Sequence, residues 1–320
     1  MKIVITGGTG FLGRLIAERA VARGDQVTLF DITSPPGGLG VLDGKVDVVL
    51  GDITDAATVN AVIAGSDAVV HLASMVSAGS EADFDAAMRV NLDGGRTVLD
   101  AVRANGPQTR LLFTSSLAVF GGAAMPASVD GMTRPVPQNT YGMTKTVMEL
   151  LINDMSRKGF FDGRVGRLPT VIVRPGKPNT AASSFASGVI REPLTGDVCE
   201  LPVSPDMALC VGGYRTVADG LMAMLDAPAE SYADDRVVNL PNITVTVSDM
   251  IAATKTVASR HGITLGNIED TPNETVRAIV GSWPKAMDAS RALALGCPQD
   301  TGLEAIIEAF IADYLQNGRS

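Results

Sequence analysis

Tyr141 and Lys145 stand four residues apart in Tyr141-Gly142-Met143-Thr144-Lys145. A helix starting after Pro135 and Pro137 puts both side chains on one face. A tyrosine hydroxyl titrates near 10, about three units too high for a good base at neutral pH, but a neighbouring ammonium stabilises the phenolate. The spacing therefore predicts a Tyr141 of lowered pKa that takes a proton from an alcohol. Upstream, Thr114-Ser115-Ser116-Leu117-Ala118-Val119-Phe120-Gly121 ends an apolar run. A serine hydroxyl there can hold the alcohol oxygen for that transfer. Ser116 is the first candidate, with Ser115 as an alternative and backbone bonding at a strand end as the plain reading of either.

Loss of a proton and a hydride from one alcohol needs a hydride acceptor. Thr6-Gly7-Gly8-Thr9-Gly10-Phe11-Leu12-Gly13 supplies a place for one, with glycines at 7, 10 and 13 between a strand and a helix. Such a turn lets backbone amides and the helix terminus approach a pyrophosphate. Asp31, ending the next strand, suits the adenosine ribose hydroxyls and repels a 2′-phosphate, and Ile32 and Thr33 add no cation. The expected cofactor is NAD. Asp52 and Ile53 are expected to flank its adenine, although a helix cap is the ordinary role for such an Asp. Leu72, Ala73 and Ser74 are placed where the cofactor crosses the sheet edge, Ser74 also facing substrate, and Thr114 joins them. His71 reads as a packed core histidine, and no metal site is expected.

These residues require a sheet with one common carboxyl edge. Strand-length apolar runs at 2–6, 26–30, 46–50, 68–72 and 110–114 alternate with helix-length segments, the pattern of βαβ units. Residues 11–23 carry one apolar helical face. Further strands are expected at 171–174 and 236–240, and helices at 84–104, 141–157, 247–259 and 303–315. From Lys177 to about Gly212 the chain is rich in Pro, Ser and Gly, and the rhythm breaks. The fold class is α/β, a Rossmann doubly wound parallel sheet with a smaller C-terminal α/β substrate-binding domain. Residues 1–176, with 212–241 returning, are assigned to the NAD domain, and 177–211 with 242–320 to the substrate part.

The 320 residues are 46% hydrophobic and carry a net charge of −9. That balance disfavours nucleic acid as a partner. Cys199, Cys210 and Cys297 lack metal or disulfide spacing and read as reduced and buried. The opening Met1-Lys2-Ile3-Val4-Ile5 enters a strand at once, and no run reaches membrane-spanning length, so a cytoplasmic protein with no membrane partner is expected.

Taken together, the Thr6–Gly13 loop, Asp31, Gly51-Asp52-Ile53, His71-Leu72-Ala73, Asn91, Ser115-Ser116, Tyr141 to Lys145 and Arg174-Pro175-Gly176 resemble the extended short-chain dehydrogenases and reductases. That family includes nucleotide-sugar epimerases and dehydratases. The resemblance selects Ser116, 25 positions before Tyr141, and implies that Asn91 and Pro175 lie beside the cofactor. It also implies a homodimer pairing the helices at 84–104 and 141–157, although Met148, Leu151, Ile152 and Met155 suit a monomer core equally. Phe120 departs from a family tyrosine, away from the proton path. Leu117 and Ala118 replace the acidic pair of the dehydratases, which disfavours dehydration. The stretch from Arg174 to Leu194, with Ser282-Trp283-Pro284 and 291–296, is similar to the D-erythronate dehydrogenase branch. The implied substrate is a small sugar acid oxidised at carbon 2. Arg191 is the candidate for its carboxylate, with Asn179, Ser183 and Ser187 as hydrogen-bonding neighbours, while Arg215 has no clear task. A sugar epimerase is the rival reading, and a non-catalytic NAD-binding protein a more distant one.

Overall fold

The computed structural model describes residues 1–35, 37–178 and 181–316. Its strands are β1 Lys2–Thr6, β2 Gln26–Asp31, β3 Asp47–Leu50, β4 Ala68–His71, β5 Arg110–Ser116, β6 Asp162–Leu168, β7 Thr170–Ile172, β8 Cys199–Leu201, β9 Ala208–Gly213, β10 Val237–Asn239, β11 Ile243–Thr246 and β12 Ile268–Asp270. Seven of them form a parallel sheet in the order β10-β6-β5-β4-β1-β2-β3. The order reverses between β1 and β4, and in such sheets the crevice at that reversal receives the ligand.

The helices are α1 Phe11–Ala22, α2 Ala56–Ile63, α3 Ser77–Ala82, α4 Phe84–Ala87, α5 Gly95–Asn105, α6 Thr140–Arg157, α7 Ser184–Thr195, α8 Tyr214–Asp226, α9 Val247–His261, α10 Glu274–Gly281, α11 Ser290–Ala294 and α12 Leu303–Phe310. Alternation along the strands divides the core between the two faces. Ile3, Ile5, Leu29, Val70 and Leu112 face one cluster, and Val4, Phe30, Val69, Leu111 and Phe113 the other. Leu15 and Ile16 of α1 and Leu221 of α8 belong to the first, whereas Val98 and Leu99 of α5 and Met148 and Ile152 of α6 belong to the second.

Several expectations are corrected. The helix expected over 84–104 is interrupted: after α4 the chain makes a π-helical stretch, Met88–Gly94, before α5. A side chain at Gly94 would press on Ile53, its Cβ 2.7 Å from Cγ1, so a glycine lets the helix pass this close. The strand expected at 171–174 is the short β7, which leaves the main sheet and pairs with β9 in a three-stranded sheet. The strand that does complete the main sheet is β6, hidden in Asp162-Gly163-Arg164-Val165-Gly166-Arg167-Leu168 by its charges. Those charges are buried in pairs: Arg164 is bonded to Asp162 and to the Met224 carbonyl, and Arg167 to Glu149.

The segment from 177 to 212 is more regular than its composition suggests. It contains α7, β8 and most of β9, and Pro193 sits within α7. Together with β11, β12 and α9 these build the second layer beside the sheet. Among the described residues no helix is long and apolar enough to cross a membrane. The three cysteines are free and buried.

Candidate active site

The phosphate loop is held by its own glycines. A Cβ at Gly13 would lie 2.6 Å from the Gly7 carbonyl, so only glycine lets α1 begin against the β1 turn. The Thr9 amide donates to Asp31 Oδ2 at 3.1 Å, and the Ile32 and Thr33 amides donate to Oδ1 at 2.8 and 3.3 Å. The loop and the Asp31 carboxylate are thus tied together. Thr6 Oγ1 accepts from the Ala73 amide at 3.3 Å and shares a 2.6 Å hydrogen bond with His71 Nδ1. His71 is buried, and desolvation together with the Lys145 charge lowers its pKa to about 3. It is a neutral core residue that joins β1 to β4.

Asp52 accepts from the Thr54 amide at 2.9 Å. The cap of α2 is Asp55, whose side chain accepts from Ala57, so Asp52 is not the capping residue. Ile53 is buried. Asn91 lies in the π-helical stretch with its amide committed to protein. Its Oδ1 accepts from the Met75 amide at 2.8 Å, and its Nδ2 donates to the Met75 carbonyl and to Thr144 Oγ1. It braces the loop after β4 against α6. The Phe11 ring packs against those of Tyr214 and Tyr314 at tilted angles, with centroids 5.6 and 6.4 Å away.

At the end of β5, strand parity separates the two serines. Ser115 points to the α6 side with Leu111 and Phe113, and its hydroxyl donates to Glu149. Ser116 adjoins the Tyr141 hydroxyl and favours its ionised form, and its Oγ accepts from the Ala118 amide at 3.2 Å. Two local features put Tyr141 there. Asn139 caps α6 by accepting from the Gly142 amide at 2.8 Å. Gly142 itself abuts the turn after β5, where a Cβ would lie 2.0 Å from the Ala118 carbonyl oxygen.

Lys145 is buried, donates to the Thr114 carbonyl at 2.8 Å, and lies 4.5 Å from the Phe113 ring centroid and 5.4 Å from that of Tyr141. The expectation that Lys145 lowers the Tyr141 pKa is corrected. Burial pushes Tyr141 up to about 12, and the adjoining Ser116 opposes it only in part. Lys145 is drawn to the Thr114 carbonyl, and burial brings its own pKa down to about 7 despite the Glu149 carboxylate.

A cleft of about 1140 Å³ opens on the phosphate loop at Thr9, Gly10 and Phe11. Its other walls come from Arg174 to Pro178, from α7, and from Phe310, Tyr314 and Leu315. Ser116, Tyr141 and Lys145 do not line it. Arg191 does, but it is 5% exposed, donates to the Arg174 carbonyl at 2.6 Å and pairs with Glu192. Its charge is already matched, and it shapes the Arg174–Gly176 turn rather than offering a bare cation. Ser187 Oγ accepts from the Arg174 amide, fastening the same turn. Ser183 precedes α7 without capping it, and Ser74 is partly exposed after β4. Asn179 lies outside the described residues. Arg215 forms a double ion pair with Asp313, at 2.9 and 2.7 Å, and so has a structural task.

Sequence reasoning missed Gly142, Glu149 and Arg167. Glu149 falls on the buried stripe of α6 with Lys145, Met148 and Ile152, and a buried acid demands a partner. That signal was available; its partner on β6 was not.

The loop, the acid after β2, and a tyrosine-lysine helix joined to a serine at one sheet edge agree with the comparisons. The chain matches the model of the NAD dependent epimerase/dehydratase family over residues 3–235. The chain belongs to this family. It is 44% identical to a D-erythronate dehydrogenase of Cupriavidus necator across 98% of both chains. A D-erythronate dehydrogenase of Haemophilus influenzae is 39% identical over 97% of this chain and 99% of its own. A solved structure described as a nucleoside-diphosphate-sugar epimerase from Agrobacterium tumefaciens superposes with a TM-score of 0.88 at 35% identity. The match covers 99% of this chain and 95% of that one. NAD is the cofactor of the family, and the Gly7–Gly13 cradle, which any Cβ would fill, fits it.

Proposed function

We propose that this NAD-dependent dehydrogenase oxidises the carbon-2 hydroxyl of a small sugar acid, D-erythronate to 2-oxo-erythronate, with Tyr141 as base. The observation that carries the reading is the meeting of Tyr141 and Lys145, with the amine 5.4 Å from the ring centroid, at the Ser116 end of β5, where Lys145 donates to the Thr114 carbonyl. The D-erythronate dehydrogenase relatives supply the substrate.

NAD, when bound, supplies the hydride acceptor and a positively charged ring. Ser116 holds the substrate hydroxyl oxygen, and Tyr141 Oη takes its proton as the carbon loses hydride. Tyr141 keeps its own proton near neutrality while burial holds it at about 12. Positive charge beside it is needed before it can act. Lys145 is placed to provide part of that charge and to reach the ribose of the nicotinamide. Ser74 and Ser183 are the candidates for hydrogen bonds to the acid. Residues 1–176 and 212–241 serve NAD, and 177–211 with 242–320 serve the substrate. Homodimerisation through the helical segments at 84–104 and 141–157 completes the proposal. Met148 and Ile152 are monomer core, whereas Phe84, Leu150 and Leu151 are exposed.

The test is NADH formation across four-, five- and six-carbon aldonic acids with both configurations at carbon 2. Turnover restricted to D-erythronate supports the reading, and turnover of a nucleotide sugar with no aldonate oxidation sinks it. The similarity to an epimerase gives the second reading its observation. Under that reading, NAD stays bound through purification.

A further inference from the structure

Three consecutive residues at the end of β5 each hold a different turn of α6. Ser116 adjoins the Tyr141 hydroxyl, the Thr114 carbonyl accepts from Lys145 Nζ at 2.8 Å, and Ser115 Oγ donates to Glu149 Oε1. Tyr141, Lys145 and Glu149 follow at intervals of four, one stripe of the helix. The lowest rung is enclosed as well. Glu149 is 3% exposed, and Arg167 on β6, 4% exposed, reaches it through Nε and Nη2 at 2.9 and 2.7 Å. Arg167 also lies over the Phe120 ring, 4.7 Å from its centroid.

A buried ion pair is a poor choice for holding a helix to a strand. Apolar residues of similar volume are often as good or better for stability. The pair sits, however, one turn below an amine that burial would otherwise discharge. The titratable and charged groups around Lys145 are His71 from β4, Tyr141 and Glu149 from its own helix, and Arg167 from β6 behind Glu149. His71 is neutral at working pH, Tyr141 is protonated, and Arg167 is matched by Glu149. Glu149 is therefore the one anion in this group.

We propose that Glu149 is a positioning residue: clamped by Arg167 and Ser115, its carboxylate keeps the buried Lys145 amine cationic and fixes the register of α6 on β5. This role presupposes the reading of Tyr141 and Lys145 as the reacting pair. The direction of its effect is definite. Burial pulls Lys145 down to about 7 and Glu149 opposes that pull, so loss of the carboxylate lets Lys145 fall further.

The experiment titrates Lys145 in the full-length protein by NMR of ¹⁵N-lysine, with Lys145→Met assigning the signal, and pairs it with the pH profile of kcat. In Glu149→Gln the Lys145 midpoint and the alkaline limb of kcat both move about one pH unit or more towards acid. Glu149→Asp restores most of that shift. Glu149→Gln strands a buried guanidinium, so Glu149→Gln/Arg167→Met, which removes both charges, takes its place if the single variant does not fold. The double variant shows a shift of the same sign. An unchanged Lys145 midpoint in the folded variants overturns the proposal. The amine titration needs no substrate, and Tyr141→Phe turnover tests the catalytic reading separately, so the two failures are distinguishable.

Discussion

Tyr141 carries the chemistry of the proposed reaction. Its replacement by Phe keeps the ring and removes the proton acceptor, and kcat should fall about 10²- to 10⁴-fold. NAD affinity, measured by calorimetry, should remain within a few-fold of wild type; retained turnover would remove the residue from the mechanism. His71 makes a prediction about stability instead. Its folded pKa, about 3, lies below the ordinary value of 6.5, so between those pH values the unfolded chain binds a proton that the native protein does not. Stability therefore falls as pH drops below about 6.5, by up to about 1.4 kcal/mol per unit from this residue. Urea midpoints at pH 7 and 5 should show the fall, and His71→Asn should reduce it. What the sequence conveys at this scale is residue type and spacing. Tyr141, Lys145 and Ser116 were legible that way. The Tyr141 pKa was not, because burial and the pull of the Thr114 carbonyl on Lys145 belong to the folded environment.

Elements bring these residues together, and the contact between α6 and the turn after β5 is the tightest of them. Gly142→Ala drives a methyl into the Ala118 carbonyl. The helix must then move away from β5, at a cost of about 1–3 kcal/mol. Activity should drop far more than thermal stability, since a shift of about 1 Å in a reacting group costs roughly 10²-fold. A Gly142→Ala enzyme with wild-type kcat would show that the helix register is not what sets Tyr141. Strands β1 to β5 were readable because each carries a short apolar run of strand length. The β6 strand was unreadable because Arg164 and Arg167 look like surface residues until the Met224 carbonyl, Asp162 and Glu149 are found beside them. The helix α7 was obscured by Pro193 and by the serines before it. The interruption at Met88–Gly94 left no periodic mark, since a π turn adds a residue without changing composition.

Across the whole molecule, distant parts of the chain meet at the phosphate loop. Phe11, Tyr214 and Tyr314 form a triad of tilted rings in mutual contact, and Tyr214 and Arg215 both hold Asp313 in the π-helical Ile311–Gln316 segment. Asp313→Ala should destabilise the fold by about 1–3 kcal/mol by removing the carboxylate that Tyr214 and Arg215 share. It should also weaken NAD binding, which Tyr141→Phe does not. Equal NAD affinity in Asp313→Ala and wild type would separate the carboxy-terminal segment from the cofactor. The same closure has a consequence for the order in which the protein is made. β1 precedes the other strands of its sheet along the chain and lies between β2 and β4, yet Phe310, Tyr314 and Leu315 wall the cleft beside its loop. A ribosome must therefore translate past residue 315 before that wall exists. Until then the growing chain lacks the complete cleft, and a ligand bound there cannot steady the early sheet by mass action at full strength. The sheet has to persist on its own packing while the last helices are still being added.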